Sequence, residues 1–208
     1  MAGTKAHSQE EIATMTTTHL LYLHGFRSSP QSNKARIMAD YVGARHSKVR
    51  WWCPQLPPSP REAAAVIVEG IANWPRQNMA VMGSSLGGYY ASWVAQLARC
   101  KSVMINPAVN PACDLEKYIG EQSSWHDPEE TFFFRPEYIE ELRQLDTRAM
   151  TPAAPEMVLI AQGDEVLDWN EMSERYPHAL QLVQEGGDHA LSNFAEYLDR
   201  IDEFLALA

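Results

Sequence analysis

Short apolar runs alternate with stretches of helical periodicity along most of the chain. Six runs have the length and the β-branched and aromatic content that strands favour: residues 19–25, 48–54, 79–83, 101–105, 156–162 and 180–184. Apolar positions at helical spacing follow five of these runs, at residues 29–46, 59–74, 86–98, 168–176 and 190–207. Such alternation is typical of a parallel sheet with helices on both faces. We therefore predict an α/β fold with about six mostly parallel strands.

The start of the second helix carries a local signal of its own. Ser59-Pro60-Arg61-Glu62 has the spacing of a capping box, in which the serine hydroxyl accepts a hydrogen bond from the amide of Glu62. Proline suits the first turn of a helix because its missing N–H would have no partner there. The helix is therefore expected to begin at this point.

Two segments depart from the alternating pattern. Residues 1–18 are polar and lack the apolar stretch of a secretory signal, so we expect a flexible tail ahead of one domain at 19–208. Residues 111–150 hold ten acidic residues, four basic residues and six aromatics. This mixture predicts a small helical cover over the domain, with ordinary surface helices as the alternative.

The composition argues against several classes of partner. With 27 acidic and 17 basic residues the formal net charge is −10, so neither nucleic acid nor an anionic membrane is an expected partner. The three cysteines, Cys53, Cys100 and Cys113, lack the spacing of a zinc site or a disulfide framework, which indicates structural roles in a reducing compartment. We predict a cytoplasmic protein that needs no cofactor and no metal.

A candidate nucleophile lies between the third strand and the helix that follows it. Residues 83–87 read G-S-S-L-G, which matches the G-x-S-x-G pattern of a sharp strand-to-helix turn with an exposed serine hydroxyl at its tip. The small residues at both ends make room for the strained backbone of Ser85. The neighbouring Ser84 is the competing serine, but it is not flanked symmetrically by glycines. We therefore predict Ser85 as the nucleophile.

A serine hydroxyl needs a base to become nucleophilic at neutral pH. His189 lies in the glycine-rich loop after the last predicted strand, within the sequence EGGDHAL. Because the carboxyl ends of parallel strands meet at one edge of the sheet, this loop is expected near Ser85. The alternative for His189 is an ordinary histidine in a surface loop.

The base in turn needs an acid that fixes its tautomer. The sequence AQGDEVLDW after the fifth strand offers Asp164 at the turn and Asp168 four residues later. We prefer Asp164, since Asp168 has the position of a cap for the next helix. The resulting chain order, Ser85, Asp164 and His189, is that of the α/β-hydrolases.

Two backbone amides are expected to stabilise the oxyanion that such chemistry generates. One belongs to Leu86, directly after the nucleophile, and the other to Phe26 in the loop after the first strand. We assign His24 and Arg27, in the same loop, to substrate binding. For His24, a second base and a brace for the loop are alternatives, and the brace is the one we favour.

Six blocks of sequence, in order, resemble those of the small bacterial YqiA-type esterases of the α/β-hydrolase superfamily. They are YLHGFRSSP, PQLPPSP, GSSLGGYYA, INPAVNP, GDEVLD and EGGDHA, and the resemblance spans about residues 20–205. It implies a compact α/β-hydrolase fold with a Ser85, Asp164 and His189 triad. It also implies hydrolysis of acyl esters, with thioesters as a further class.

The function predicted from these residues is hydrolysis of a small acyl ester through an acyl-enzyme on Ser85. Within the thioester class, Arg27, Lys34 and Arg36 could meet the phosphates of an acyl-CoA, although the acidic segment 111–150 opposes such binding. The alternative function is a catalytically silent binding module on the same fold, closed by the aromatic cover.

Overall fold

The described residues include eight strands and seven α-helices with defined bounds. The computed structural model of the chain describes residues 11–12, 14–125, 127 and 129–208. The strands are β1 (His19–Leu23), β2 (Arg50–Trp52), β3 (Met79–Ser84), β4 (Lys101–Ile105), β5 (Gly120–Ser123), β6 (Thr131–Phe134), β7 (Glu156–Ala161) and β8 (Leu180–Gln184). The helices are α1 (Asn33–Arg45), α2 (Pro60–Ile71), α3 (Leu86–Ala98), α4 (Pro111–Asp114), α5 (Glu137–Gln144), α6 (Trp169–Arg175) and α7 (Leu198–Leu205).

Six of the strands form one sheet in the order β2–β1–β3–β4–β7–β8, and every pair in it is parallel. All six were predicted from the sequence, and the α/β fold with a parallel sheet is confirmed. Because the strands run the same way, the loops that follow β1, β3, β4, β7 and β8 emerge at one edge of the sheet. That edge is where an open α/β sheet places its functional residues.

Helices cover both faces of the sheet, as the alternation predicted. Along β1, Leu21 and Leu23 join one buried cluster, while Leu20 and Tyr22 join the other. The first cluster takes in residues of α2, α3 and α6, and the second takes in residues of α1 and α7. The period of two along a strand thus supplies both cores with apolar side chains.

The predicted start of α2 is correct, whereas the last helix is shorter than predicted. The Ser59 hydroxyl accepts a hydrogen bond from the Glu62 amide at 3.2 Å, so the predicted cap of α2 is confirmed. The helix predicted over 190–207 begins with a 3-10 turn at Phe194–Tyr197 and becomes α-helical only from Leu198. Leu191, at φ 46°, is in a left-handed conformation that no α-helix continues through.

The segment 111–150 contains, besides α4 and α5, an antiparallel hairpin of β5 and β6 that the sequence analysis did not predict. In β6, Phe134 is 1% exposed and Phe133 is 59% exposed, the alternation of a strand with one buried face. Phe134 packs edge-on against Phe26 of the loop after β1, with the ring centroids 5.1 Å apart. The hairpin therefore reaches the edge of the sheet where the candidate site lies.

The predicted tail, residues 1–18, is described only at 11–12 and 14–18. Thr17 is buried and bridges to Leu207 at the other end of the chain. The ammonium of Lys101, itself 3% exposed, donates to the carbonyl oxygen of Met15 at 3.2 Å. The described end of this segment is thus packed onto the domain. Residues 1–10 and 13 lie outside the described residues.

Candidate active site

The turn after β3 holds Ser85 in a strained conformation. Its φ of 56° is left-handed, and Ser85 is the residue from which α3 starts. A methyl group on Gly83 would lie 2.0 Å from the carbonyl oxygen of Gly87, and one on Gly87 would lie 2.0 Å from that of Leu23. Only glycine fits at either position. This explains physically why the sequence surrounds the serine with glycines.

The loops after β7 and β8 bring the other two predicted residues together. Asp164 Oδ2 lies 2.7 Å from His189 Nδ1. A carboxylate can only accept, so Nδ1 carries the hydrogen in this contact, and in the neutral imidazole Nε2 is left as the acceptor. An imidazole in this tautomer can take a proton from a hydroxyl at Nε2.

Asp164 is itself held firmly. Its Oδ1 accepts hydrogen bonds from the amides of Val166 and Leu167, both at 2.8 Å, and its side chain is fully buried. The side chain of His189 remains 21% exposed. Glu165 accepts a hydrogen bond from the His189 amide at 2.9 Å. One end of the pair is therefore fixed, while the imidazole stays accessible from the cavity.

The structure separates the two candidate acids that the sequence left open. Asp168 Oδ1 accepts from the amide of Asn170 at 2.8 Å and caps α6. It makes no hydrogen bond to His189 in the described part of the chain. Asp164, and not Asp168, is therefore the carboxylate paired with the imidazole.

Ser85 and His189 line the same cavity of about 400 Å³, together with Phe26, Leu86 and Val166. Among the described residues, no hydrogen bond joins the Ser85 hydroxyl to the imidazole. Contacts of this kind are often long until substrate binds. The geometry thus places both side chains on one cavity.

The two predicted oxyanion donors also line this cavity. Leu86 is the first residue of α3, where amides have no partner within the helix. Within the described residues, neither the Leu86 nor the Phe26 N–H donates to a protein acceptor. Both donors are available for a ligand.

His24 and Arg27 have structural contacts in the loop after β1. His24 is 4% exposed, its Nε2 accepts from the Leu56 amide at 3.1 Å and its Nδ1 lies 3.0 Å from the carbonyl oxygen of Gly25. These contacts suit a brace for the loop better than a second base. The assignment of His24 to substrate binding stays a prediction, although its side chain does line neighbouring cavities.

Arg27 joins the same loop to the cover. Its guanidinium donates to the carbonyl oxygen of Ser123 at 2.6 Å and to the Ser123 hydroxyl at 3.0 Å, and it lies 4.3 Å from the centre of the Trp125 ring. The guanidinium is therefore already engaged by the hairpin. Its predicted contact with substrate stays a prediction.

Asn106 is a residue of this site to which the sequence analysis gave no role. It follows β4, is fully buried and has a φ of 40°. Its amide nitrogen donates to the carbonyl oxygens of Asp188 and His189 at 3.0 and 3.1 Å, and its Oδ1 accepts from the Ala161 amide at 2.8 Å. Asn106 thus fixes the loop that carries the imidazole. An asparagine directly after a strand, where a left-handed turn is tolerated, is the available signal.

No three His, Cys, Asp or Glu side chains among the described residues are grouped closely enough to hold a metal ion. None of the helices in the described ranges has both the length and the apolar character needed to cross a bilayer.

The model of the "Uncharacterised protein family (UPF0227)" matches residues 19–206. The chain belongs to the UPF0227 family. A curated relative is the UPF0227 protein YcfP of Escherichia coli O9:H4 (strain HS), which is 22% identical over 194 residues covering 90% of this chain and 99% of YcfP. The family resemblance predicted from the six sequence blocks is confirmed.

Solved structures similar to this UPF0227 chain have the α/β-hydrolase fold. A structure of the metagenome-derived lipolytic enzymes LipS and LipT matches with a TM-score of 0.70 and 18% identity, covering 92% of this chain and 94% of that one. Est1E from Butyrivibrio proteoclasticus with bound ferulic acid matches with a TM-score of 0.70 and 12% identity, covering 92% and 90%. The predicted α/β-hydrolase fold is thereby confirmed.

Proposed function

We propose that this UPF0227 protein is a serine hydrolase that cleaves carboxylic esters. The observation that carries the proposal is the Asp164–His189 pair, joined at 2.7 Å, on the cavity that the strained Ser85 also lines. The fold agrees with it, since structures with this fold include one of lipolytic enzymes and one of an esterase domain.

The chemistry would proceed in two halves. Ser85 Oγ attacks the ester carbonyl carbon while His189 Nε2 takes the hydroxyl proton, and the Leu86 and Phe26 amides stabilise the oxyanion. The C–O bond to the alcohol then breaks, and the imidazolium returns the proton to the departing oxygen. Water repeats the sequence on the acyl-enzyme and releases the acid. Asp164 holds the imidazole in one tautomer throughout.

The lining of the 400 Å³ cavity suits an acyl chain, because Phe26, Leu115, Tyr118 and Val166 contribute much of it. Esters of apolar acids are therefore the proposed substrates, and thioesters of the same acids are a second class that the chemistry admits.

The test is turnover of 4-nitrophenyl esters of increasing acyl length. Ser85→Ala should lower kcat by several orders of magnitude, toward the roughly 10⁶-fold that loss of the nucleophile costs in a serine protease. Ser84→Ala, at the competing serine, should keep kcat within about tenfold. Near-native turnover by Ser85→Ala, with the protein folded, would overturn the proposal.

A silent binding module is the second candidate, favoured by the lack of a described hydrogen bond between Ser85 and His189. It predicts no turnover of any ester by the folded wild-type protein. Hydrolysis that depends on Ser85 excludes it.

A further inference from the structure

A second, more polar cavity adjoins the apolar one at the reactive residues. It has a volume of about 240 Å³, and Ser85 and His189 line it as well. Its other lining groups include Lys34, from the first turn of α1, and the hydroxyl-bearing Ser28 and Ser32. The reactive residues therefore lie between an apolar space and a space rich in hydrogen-bond donors.

Among the described residues no carboxylate lies within ion-pair distance of the Lys34 ammonium, although Asp164 and Asp188 are near enough to act on it through their charge. Its Nζ donates to the carbonyl oxygen of Ala190 at 2.5 Å, which leaves two of its three N–H groups for other acceptors. The carboxylate of Asp164 accepts hydrogen bonds from the Val166 and Leu167 amides and from His189, and that of Asp188 accepts from Ser192. An ammonium removed from water is stabilised most strongly by an anion.

Arg27 provides the contrast. It lines the larger cavity, but Ser123 and Trp125 already engage its guanidinium. Lys117 also lines the larger cavity, and its ammonium lies 5.3 Å from the centre of the Tyr118 ring. Lys34 is therefore the cation of the smaller, polar cavity that is placed to bind substrate.

We propose that Lys34, with Ser28 and Ser32, binds a carboxylate or phosphate on the alcohol part of the substrate. This inference rests on the proposed esterase function and adds the substrate class to it. The acyl group stays attached to Ser85 and suits the larger apolar space, whereas the departing alcohol suits the smaller polar one. The substrate class is thus an ester of an apolar acid with a small anionic alcohol.

Three butyryl esters that differ in the alcohol test this inference: 2-butyryloxyethanol, butyryloxyacetate and 2-butyryloxyethyl phosphate. The wild type should show a kcat/KM at least about tenfold higher for an anionic ester than for the neutral one, as expected for hydrogen bonds to a charged group. The anionic ester with the higher kcat/KM shows whether the subsite prefers a carboxylate or a phosphate. No preference for either anion would overturn the proposal.

Lys34→Met should abolish that preference, with a loss of kcat/KM at least about tenfold larger for the anionic esters than for the neutral one. Lys48→Met, at an exposed lysine after α1, is the matched control and should keep the preference. An equal loss on all three esters would show that Lys34 only positions the His189 loop through Ala190, and would overturn the subsite.

Burial lowers the pKa of Lys34 from 10.5 to about 8. The titratable groups that face it are Tyr22, His24, Asp164, Asp188 and His189. Taking the ratio of kcat/KM for butyryloxyacetate over the neutral ester cancels titrations that affect catalysis on both. This ratio should be high below pH 8 and fall above it, as the ammonium loses its proton. A ratio that stays flat from pH 6 to 10 would contradict the role of Lys34.

A binding measurement on an inactive variant distinguishes a failure of this inference from a failure of the proposed function. Calorimetry on Ser85→Ala should detect the anionic ester, and adding Lys34→Met should weaken its binding about tenfold. If the wild type hydrolyses no ester but this difference in binding remains, the esterase proposal fails and the anion subsite stands. If Ser85-dependent hydrolysis is present but the anionic and neutral esters bind alike, the subsite fails and the esterase proposal stands.

Discussion

Asp164 and Asp168 lie four residues apart after β7, and their different contacts lead to opposite expectations. Asp164→Asn should lower kcat by about 10⁴-fold, because an amide favours the wrong imidazole tautomer. Asp168→Asn should leave kcat within about twofold, since asparagine caps a helix as well as aspartate does. Both variants keep the side-chain shape, so ester turnover compares the two carboxylates directly.

The reverse ranking of these variants would assign the acid to Asp168 and overturn the pairing at His189. Circular dichroism of both variants serves as the folding control. The comparison is decisive because the sequence alone left both carboxylates open.

Residue-level inference from the sequence succeeded where the chemistry is local. The glycines around Ser85, the cap at Ser59 and the order of the triad all follow from short patterns. Asn106 received no role because its three contacts come from β7 and the His189 loop, far away in sequence. The sequence offered Lys34 only as one of three cations that could meet the phosphates of an acyl-CoA. Its place beside Ser85 depends on the packing of α1 against the edge of the sheet.

At the scale of elements, Glu141 attaches the cover helix α5 to the start of α2. Its carboxylate accepts from the Ser59 hydroxyl at 2.6 Å and from the Arg61 amide at 3.1 Å, and the residue is 7% exposed. Glu141→Ala should lower the free energy of unfolding by about 2 kcal/mol, because the buried donors lose their acceptor. Urea unfolding measures the change.

Glu140 is the matched control for this attachment, as the next residue back on the same helix with a side chain that is 63% exposed. Glu140→Ala should change stability by less than about 0.5 kcal/mol. Equal effects of the two substitutions would show that the buried contact contributes nothing to holding the cover.

Strands with a clear apolar run in the sequence were predicted correctly. The hairpin, whose burial depends on residues distant in sequence, was not predicted. The six strands of the parallel sheet have apolar runs bounded by turn residues. The β5–β6 hairpin is four residues on each side, and its burial comes from Phe26 and neighbouring aromatics. Strand β5 reads G-E-Q-S and holds no apolar side chain, so no alternation stands out there in the sequence.

For the whole molecule, stability should depend on the ionisation of Glu156. This residue of β7 is 8% exposed, and burial raises its pKa although Arg175 acts in the opposite direction. Because the pKa is raised in the folded state, stability falls as the pH rises past the pKa of the unfolded chain, and the penalty is complete above the pKa of the folded state. Glu156→Gln should therefore stabilise the protein at pH 7, and the gain should shrink toward zero at pH 4.

Urea unfolding at both pH values measures this effect, with Glu174→Gln on the exposed surface of α6 as the control. The control should change stability by less than about 0.5 kcal/mol at either pH. A Glu156→Gln variant that is less stable than the wild type at pH 7 would show that the carboxylate is stabilised by its surroundings.

The whole-molecule architecture could be predicted because alternating strands and helices admit few arrangements. A parallel sheet brings the ends of β3, β7 and β8 to one edge, and with them Ser85, Asp164 and His189. The cavities that meet there depend on the hairpin, on α1 and on the loop after β1 together. Their shape was therefore not available from any one stretch of sequence.

The central claim is that Ser85 is a nucleophile activated by His189. The most direct measurement is mass spectrometry of the folded protein after treatment with a fluorophosphonate probe, which loses fluoride as Ser85 Oγ bonds to phosphorus. The account predicts one adduct, located on Ser85, and at least a hundredfold slower labelling of His189→Ala. An unlabelled folded protein, or an adduct on another serine, would contradict it.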